Sequence, residues 1–197
     1  MNGFLTIVIT SPKRVDGEAE KIVRLLESGV DYIHIRKPGF PESDIEDLIK
    51  SIPVAFHRRI KLHDHFRLCD RFRLGGVHLN SRNREKPGSA DKVSTSFHDI
   101  SELSSAHDYE YVTLSPIYDS ISKKGYASAF ELRDLKDRLS AGNIVALGGV
   151  TPEKFPELRQ TGFAGAALLG YIWDNDFNHA MQGLVSAMKE TNSVERD

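Results

Sequence analysis

The chain has 197 residues, 40% of them hydrophobic, with 26 basic and 28 acidic side chains and a net charge of −2. That length is about one domain and ample for a buried core, and the balanced charge excludes both a global basic field for nucleic acid and a polybasic membrane anchor. The lone cysteine, Cys69, excludes an intrachain disulfide, and the first apolar run is too short for a signal peptide or a membrane span, so a soluble cytoplasmic protein is expected.

In chain order, short apolar runs alternate with helical patterns. The runs are Leu5–Thr10, Asp31–Arg36, Ile60–His63, Gly76–Leu79, Lys92–Ser96, Tyr111–Ser115, Ile144–Leu147 and Gly165–Leu169. Most lack polar alternation and read as buried strands. Glu18–Ser28 places Ile22, Val23, Leu25 and Leu26 on one side and ends at Gly29. Ser43 is expected to cap a helix over Asp44–Ser51, with Glu46 completing a capping box. Further helices are expected over Ser101–His107, Phe130–Leu139, Pro152–Gln160 and Phe177–Thr191, the third of these opened by Thr151 and Pro152. Residues 81–91 read as a polar loop and 191–197 as a frayed polar tail. Cys69 reads as a small buried hydrophobe on a helix face, and His57 and His179 as surface residues without a role.

Eight strand-like runs alternating with helices predict an α/β fold: a single-domain (β/α)8 TIM barrel over residues 1–190. At about 25 residues per unit it is compact, with abbreviated middle helices. A doubly wound open sheet is the rival, but the first turn, Ser11-Pro12-Lys13-Arg14, has no Gly-x-Gly-x-x-Gly.

In a barrel, chemistry gathers at the C-terminal ends of the strands. Gly148-Gly149 and Gly170 stand where barrel phosphate sites are built from backbone N–H groups, although tight turns without a ligand would need glycine too. Ser120, Ser122 and Lys123 form either a second anion site or a solvated polar loop. Arg36 ends a buried strand, where a guanidinium needs a partner, and an anionic ligand is one. His63-Asp64-His65 has too few further ligands for zinc, whereas Asp64 suits one carboxylate of a Mg²⁺–phosphate site.

These residues resemble the family of thiamine phosphate synthase and its relative, thiazole tautomerase. The order of Gly76-Val77-His78-Leu79, Ser115-Pro116-Ile117-Tyr118, the Ser120/Ser122/Lys123 loop and Ala146-Leu147-Gly148-Gly149-Val150-Thr151-Pro152 carries the resemblance over nearly the whole chain. It implies a (β/α)8 barrel that joins hydroxymethylpyrimidine pyrophosphate to thiazole phosphate and releases thiamine phosphate and pyrophosphate, with Mg²⁺ and cationic side chains on the departing group. By position it implies Arg36, Lys123 and Ser96 at the pyrophosphate, Asp64 and Asn83 as metal ligands, Ser120 and Ser122 beside the thiazole phosphate, and Gly149, Leu169 and Gly170 as the phosphate cradle.

His34 stands where the family has Gln, His63 where it has Asn, and Lys37 next to Pro38 where it has Lys, so these three count among the substrate-binding positions. Asn83 replaces a second aspartate and offers oxygen without charge. The stretch Val30–Arg36 is closer to the tautomerase, but that enzyme uses a histidine where this chain has Pro116. A third reading is a non-catalytic binder of thiazole or thiamine phosphate on a degenerate barrel. The resemblance also implies small phosphate and pyrophosphate partners and a homodimer.

Overall fold

The structure, a computed structural model, describes residues 3–87, 92–119, 130–139 and 142–193. Eight strands form one closed barrel in sequence order: β1 (Leu5–Ile9), β2 (Tyr32–Ile35), β3 (Ile60–Leu62), β4 (Gly76–Leu79), β5 (Val93–Phe97), β6 (Tyr111–Leu114), β7 (Ile144–Leu147) and β8 (Gly165–Leu168). Every neighbouring pair is parallel, and β8 closes on β1 with Leu5 opposite Gly165. Each apolar run of the sequence is a strand, within one residue at either end. The TIM barrel, rather than the open sheet, is the fold.

Strand side chains alternate between two cores. Leu5, Ile7, Ile9, Tyr111, Val145 and Ala167 fill the barrel interior. Val8, Ile33, Leu62, Val77, Val112 and Ile144 face outward into the larger core beneath the helices.

Helix α1 (Glu18–Glu27) buries Ile22, Leu25 and Leu26. It ends in a Schellman motif: Gly29 takes φ +106°, its N–H donates to Leu26 and the Val30 N–H donates to Leu25. Helix α2 (Glu42–Lys50) starts two residues before the expected Asp44, with Pro41 at its cap and no capping box. Pro41 fixes the entry, Glu42 and Asp44 complement the helix dipole, and Glu46 pairs outward with Lys50 and Arg71. Helix α3 (Arg67–Phe72) is short and buries Cys69, and among the described residues no helix lies between β4 and β5.

The expected helix over Ser101–His107 is a 3₁₀ helix over Ile100–Asp108, opened by an Asp99–Glu102 capping box. Helix α4 (Leu132–Leu135) covers only part of the segment expected to be helical and continues as 3₁₀ over Lys136–Arg138. Thr151 makes no side-chain cap; a 3₁₀ turn over Pro152–Lys154 leads into α5 (Phe155–Thr161). Helices α6 (Gly170–Trp173) and α7 (Phe177–Ser193) follow; the expected helix to Thr191 is present and runs two residues further, so Thr191 is a buried helical residue rather than the first of the tail.

His57 is buried rather than on the surface: its ring nitrogens lie 3.1 Å from the Phe72 carbonyl and 3.0 Å from the Ile52 carbonyl. Its N–H satisfies a backbone acceptor beneath α3, the tautomer deciding which of the two. No helix among the described residues is long and apolar enough to cross a membrane.

Candidate active site

The barrel interior is divided by chemistry. β1, β7 and β8 contribute aliphatic side chains, whereas β2 to β6 contribute a connected set of polar ones. His34 Nδ1 lies 2.9 Å from His63 Nε2, and His34 Nε2 lies 2.5 Å from the Tyr111 hydroxyl. His78 sits between two hydroxyls, Ser94 at 2.9 Å and Ser96 at 2.8 Å, and Ser96 continues to Thr113 at 2.9 Å. The His63 and His78 rings stack with centroids 4.3 Å apart. Below them Lys61 pairs with Glu110 at 2.6 Å, and Glu110 accepts from Tyr32 at 3.0 Å.

Burial is the main cause that holds all three imidazoles neutral: His34 and His63 lie well below the ordinary histidine pKa, and His78 is lowered to about 3, with Lys61 adding repulsion at His34 and His78. The ligating nitrogens of His34, His63 and His78 come within 4.8 Å of one another. Five of their six ring nitrogens are already hydrogen-bonded, and the Lys61 ammonium repels a cation there, so the cluster is built as a neutral hydrogen-bonded core. Ser96 belongs to this core.

At the C-terminal mouth, Thr10 holds the end of β2: its hydroxyl accepts the Arg36 N–H at 2.9 Å. The Arg36 side chain is half-buried, and no hydrogen bond or ion pair to it occurs among the described residues. Burial lowers its pKa first, the Arg82 charge adds to this, and Asp64 opposes both, so the three groups share one field. Lys37, expected to face a substrate, is instead buried, with Nζ 2.6 Å from the Lys13 carbonyl and 2.6 Å from Glu18. An ammonium beside the carboxylate on α1 finds its charge partner inside the fold, so its role is to tie the first two βα loops together.

Asn80 and Asn83 form a tight backbone bridge, 3.0 Å in each direction, which carries Arg82 over Asp64. Arg82 meets both Asp64 carboxylate oxygens at 3.2 Å, and the Asn83 amide N–H donates to Asp64 at 2.8 Å and to the His63 carbonyl at 3.0 Å. Gly39, Phe40, His65, Asp64, Arg82 and Asn83 line an open cleft of about 420 Å³ beside this cluster.

The residues expected to hold Mg²⁺ do not fit it as folded. Mg²⁺ requires oxygen ligands in near-octahedral geometry. Of the two expected ligands only Asp64 is a carboxylate, Arg82 N–H groups already occupy both of its oxygens, and Asn83 turns its nitrogen toward it.

On the opposite strands, Gly148 and Gly149 take φ of +92° and +64°. Tyr118 and Ile117 donate to the carbonyls of Gly148 and Leu147, both at 2.9 Å, so the chain after β6 lies directly on the β7 loop. A Cβ on Gly149 would run into the Asp119 carbonyl oxygen. Gly149→Ala is therefore expected to cost about 1–3 kcal/mol through left-handed strain and the clash, read as a lower urea midpoint; an unchanged midpoint would contradict the close approach. Leu169 precedes Gly170 at the start of α6, which Trp173 pins by donating from Nε1 to the Ile9 carbonyl at 2.7 Å. Gly149, Leu169 and Gly170 thus stand at the same barrel end as Arg36. Ser120, Ser122 and Lys123 lie outside the described residues.

Arg82, Glu110, Lys61 and Tyr111 are site or core residues that sequence reasoning passed over. The available signal was strand parity: His34, Lys61, His63, His78, Ser94, Ser96 and Tyr111 share the inward face once the register is known.

The profile of the family described as thiamine monophosphate synthase matches residues 6–172. The thiamine-phosphate synthase of Photorhabdus laumondii is 28% identical over 167 residues, 77% of this chain and 76% of that relative. That of Salmonella typhimurium is also 28% identical, over 78% of this chain and 79% of its own. Among solved structures, a thiamine phosphate pyrophosphorylase from Bacteroides thetaiotaomicron superposes with a TM-score of 0.85 at 33% identity, covering 98% of this chain and 100% of that one. One from Pyrococcus furiosus, 18% identical with a TM-score of 0.77, shares the fold. Barrel and sequence agree: the chain belongs to the thiamine monophosphate synthase family.

Proposed function

We propose that the chain is a thiamine phosphate synthase-like transferase, joining hydroxymethylpyrimidine pyrophosphate to thiazole phosphate with release of pyrophosphate. Family membership supports this reading. The observation that carries it is the half-buried Arg36 guanidinium, without an ion pair among the described residues, at a barrel mouth where a second guanidinium stands nearby. Two like charges held together favour an anion between them.

In the proposed dissociative reaction the C–O bond between the pyrimidine methylene and pyrophosphate breaks first, its electron pair leaving on the pyrophosphate oxygen, and the thiazole nitrogen then donates its lone pair to the methylene carbon. Arg36, with Lys123, takes up that growing negative charge. Ser96 orients the group through the His78 network, and His34 and His63 line the floor as neutral imidazoles. Gly149, Leu169 and Gly170, with Ser120 and Ser122, hold the thiazole phosphate at the other side of the mouth. The tautomerase reading gains no support, since Pro116 carries no transferable proton.

The test is direct. Purified protein given both substrates should form thiamine phosphate, and Arg36→Ala should lower the rate by about 10²–10³-fold, as loss of one charge-stabilising donor does. Binding of thiamine phosphate without any turnover would instead identify a non-catalytic binder.

A further inference from the structure

We propose that this mouth holds a diphosphate between two guanidinium groups, Arg36 and Arg82, and that Arg82 occupies the place of a divalent cation. The inference rests on the transferase reading and departs from the metal dependence that the family resemblance implies.

The atoms around Asp64 carry it. Arg82 reaches Asp64 through Nε and Nη2, at 3.2–3.3 Å, which leaves the Nη1 edge for a ligand. Its side chain remains 41% exposed and lines the open cleft. The turn that presents it is fixed locally: the Arg82 N–H donates to the Asn80 side-chain oxygen at 3.0 Å, and the Asn80 amide donates to the His63 carbonyl at 2.7 Å. Asn83, the other residue at this position, also offers N–H toward Asp64. Both Asp64 oxygens thus accept from nitrogen donors, Oδ1 from Arg82 and Asn83 and Oδ2 from Arg82.

Charge gives the same answer. Arg36 and Arg82 against Asp64 leave one net positive charge, which offsets part of the charge of a diphosphate through planar, forked N–H donors. Mg²⁺ would have to expel Arg82 from the single carboxylate and then stand beside two guanidinium groups. Asp64 serves here as the anchor that aims Arg82, a positioning residue rather than a metal ligand.

The experiment is calorimetry of inorganic pyrophosphate with the full chain, once in EDTA and once in saturating Mg²⁺, with thiamine phosphate titrated in parallel. The wild-type protein is expected to bind pyrophosphate in EDTA, with Mg²⁺ changing the affinity less than about threefold. Arg82→Ala, at a partly exposed position, should melt with the wild type and bind pyrophosphate about 10–100-fold more weakly in both buffers, as expected for loss of a charge-assisted contact. Asn83→Asp adds a second carboxylate; it should weaken binding in EDTA about tenfold and make Mg²⁺ restorative, with protein-bound Mn²⁺ appearing by paramagnetic resonance only in this variant. Wild-type binding that requires Mg²⁺, ordered Mn²⁺ on the wild-type protein, or an Arg82→Ala protein of unchanged affinity would each overturn the proposal. Thiamine phosphate bound without pyrophosphate in EDTA would remove the arginine pair and leave the transferase reading standing. Neither ligand bound in either buffer would remove both.

Discussion

Lowering the pH from 7.5 to 5.5 is expected to reduce the unfolding free energy by up to about 4 kcal/mol, at about 1.4 kcal/mol for each of three histidines over the one pH unit below their unfolded value. His34, His63 and His78 are buried, and burial depresses their pKa values, to about 3 for His78. In the unfolded chain they take up protons near the ordinary value of 6.5. The unfolded state therefore binds more protons below that value, so stability rises with pH through this window and is lost as pH falls. Burial raises the carboxyl pKa values of Glu18 and Asp31, which act in the opposite sense and make 4 kcal/mol a ceiling. Urea unfolding at pH 7.5, 6.5 and 5.5 measures the slope directly. A midpoint that stays level or rises on acidification would show that the imidazoles are not neutral in the folded core.

Glu110→Ala is expected to cost about 3–5 kcal/mol, and Lys61→Met clearly less. Lys61 has no exposed side-chain surface; its ammonium lies 2.6 Å from Glu110 and over the rings of Tyr32 and Tyr111 at 5.4 and 5.0 Å. Burial already lowers its pKa, with Glu110 the main opposing influence. Removing Glu110 leaves a positive charge in the barrel floor without a counter-ion. Removing the ammonium leaves Glu110 20% exposed, with Tyr32 at 3.0 Å and Lys92 at 3.2 Å still beside it. Met also keeps most of the volume, so little cavity forms. Equal losses in the two variants, measured by urea unfolding, would mean that the pair is solvated and the asymmetry absent.

The strands were legible because each is a short apolar run between turn signals, and burial on both faces of a barrel strand leaves little else. Helix limits were less so. Pro41 rather than Ser43 sets the start of α2, and Asp99–Glu102 caps a 3₁₀ helix where an α-helix was expected, because tertiary docking decides between two locally similar starts. At the site, Arg36 and Asp64 stood out as charged residues at strand ends. Arg82 did not, since in sequence it is one of several charges in a polar loop, and only the Asn80–Asn83 bridge brings it to Asp64. Lys37 misled for the converse reason: its partner, Glu18, is 19 residues away, and nothing local announces that the two meet in a buried pair.

That pair has a mechanical consequence. Lys37 grips Glu18 and the Lys13 carbonyl at once, so the segment after β1 and the segment after β2 cannot separate without stranding two desolvated charges. This quarter of the rim behaves as a fixed jaw. The Arg36 backbone, held by the Thr10 hydroxyl, is rooted directly beside that jaw, so its place at the mouth is set by the same buried pair.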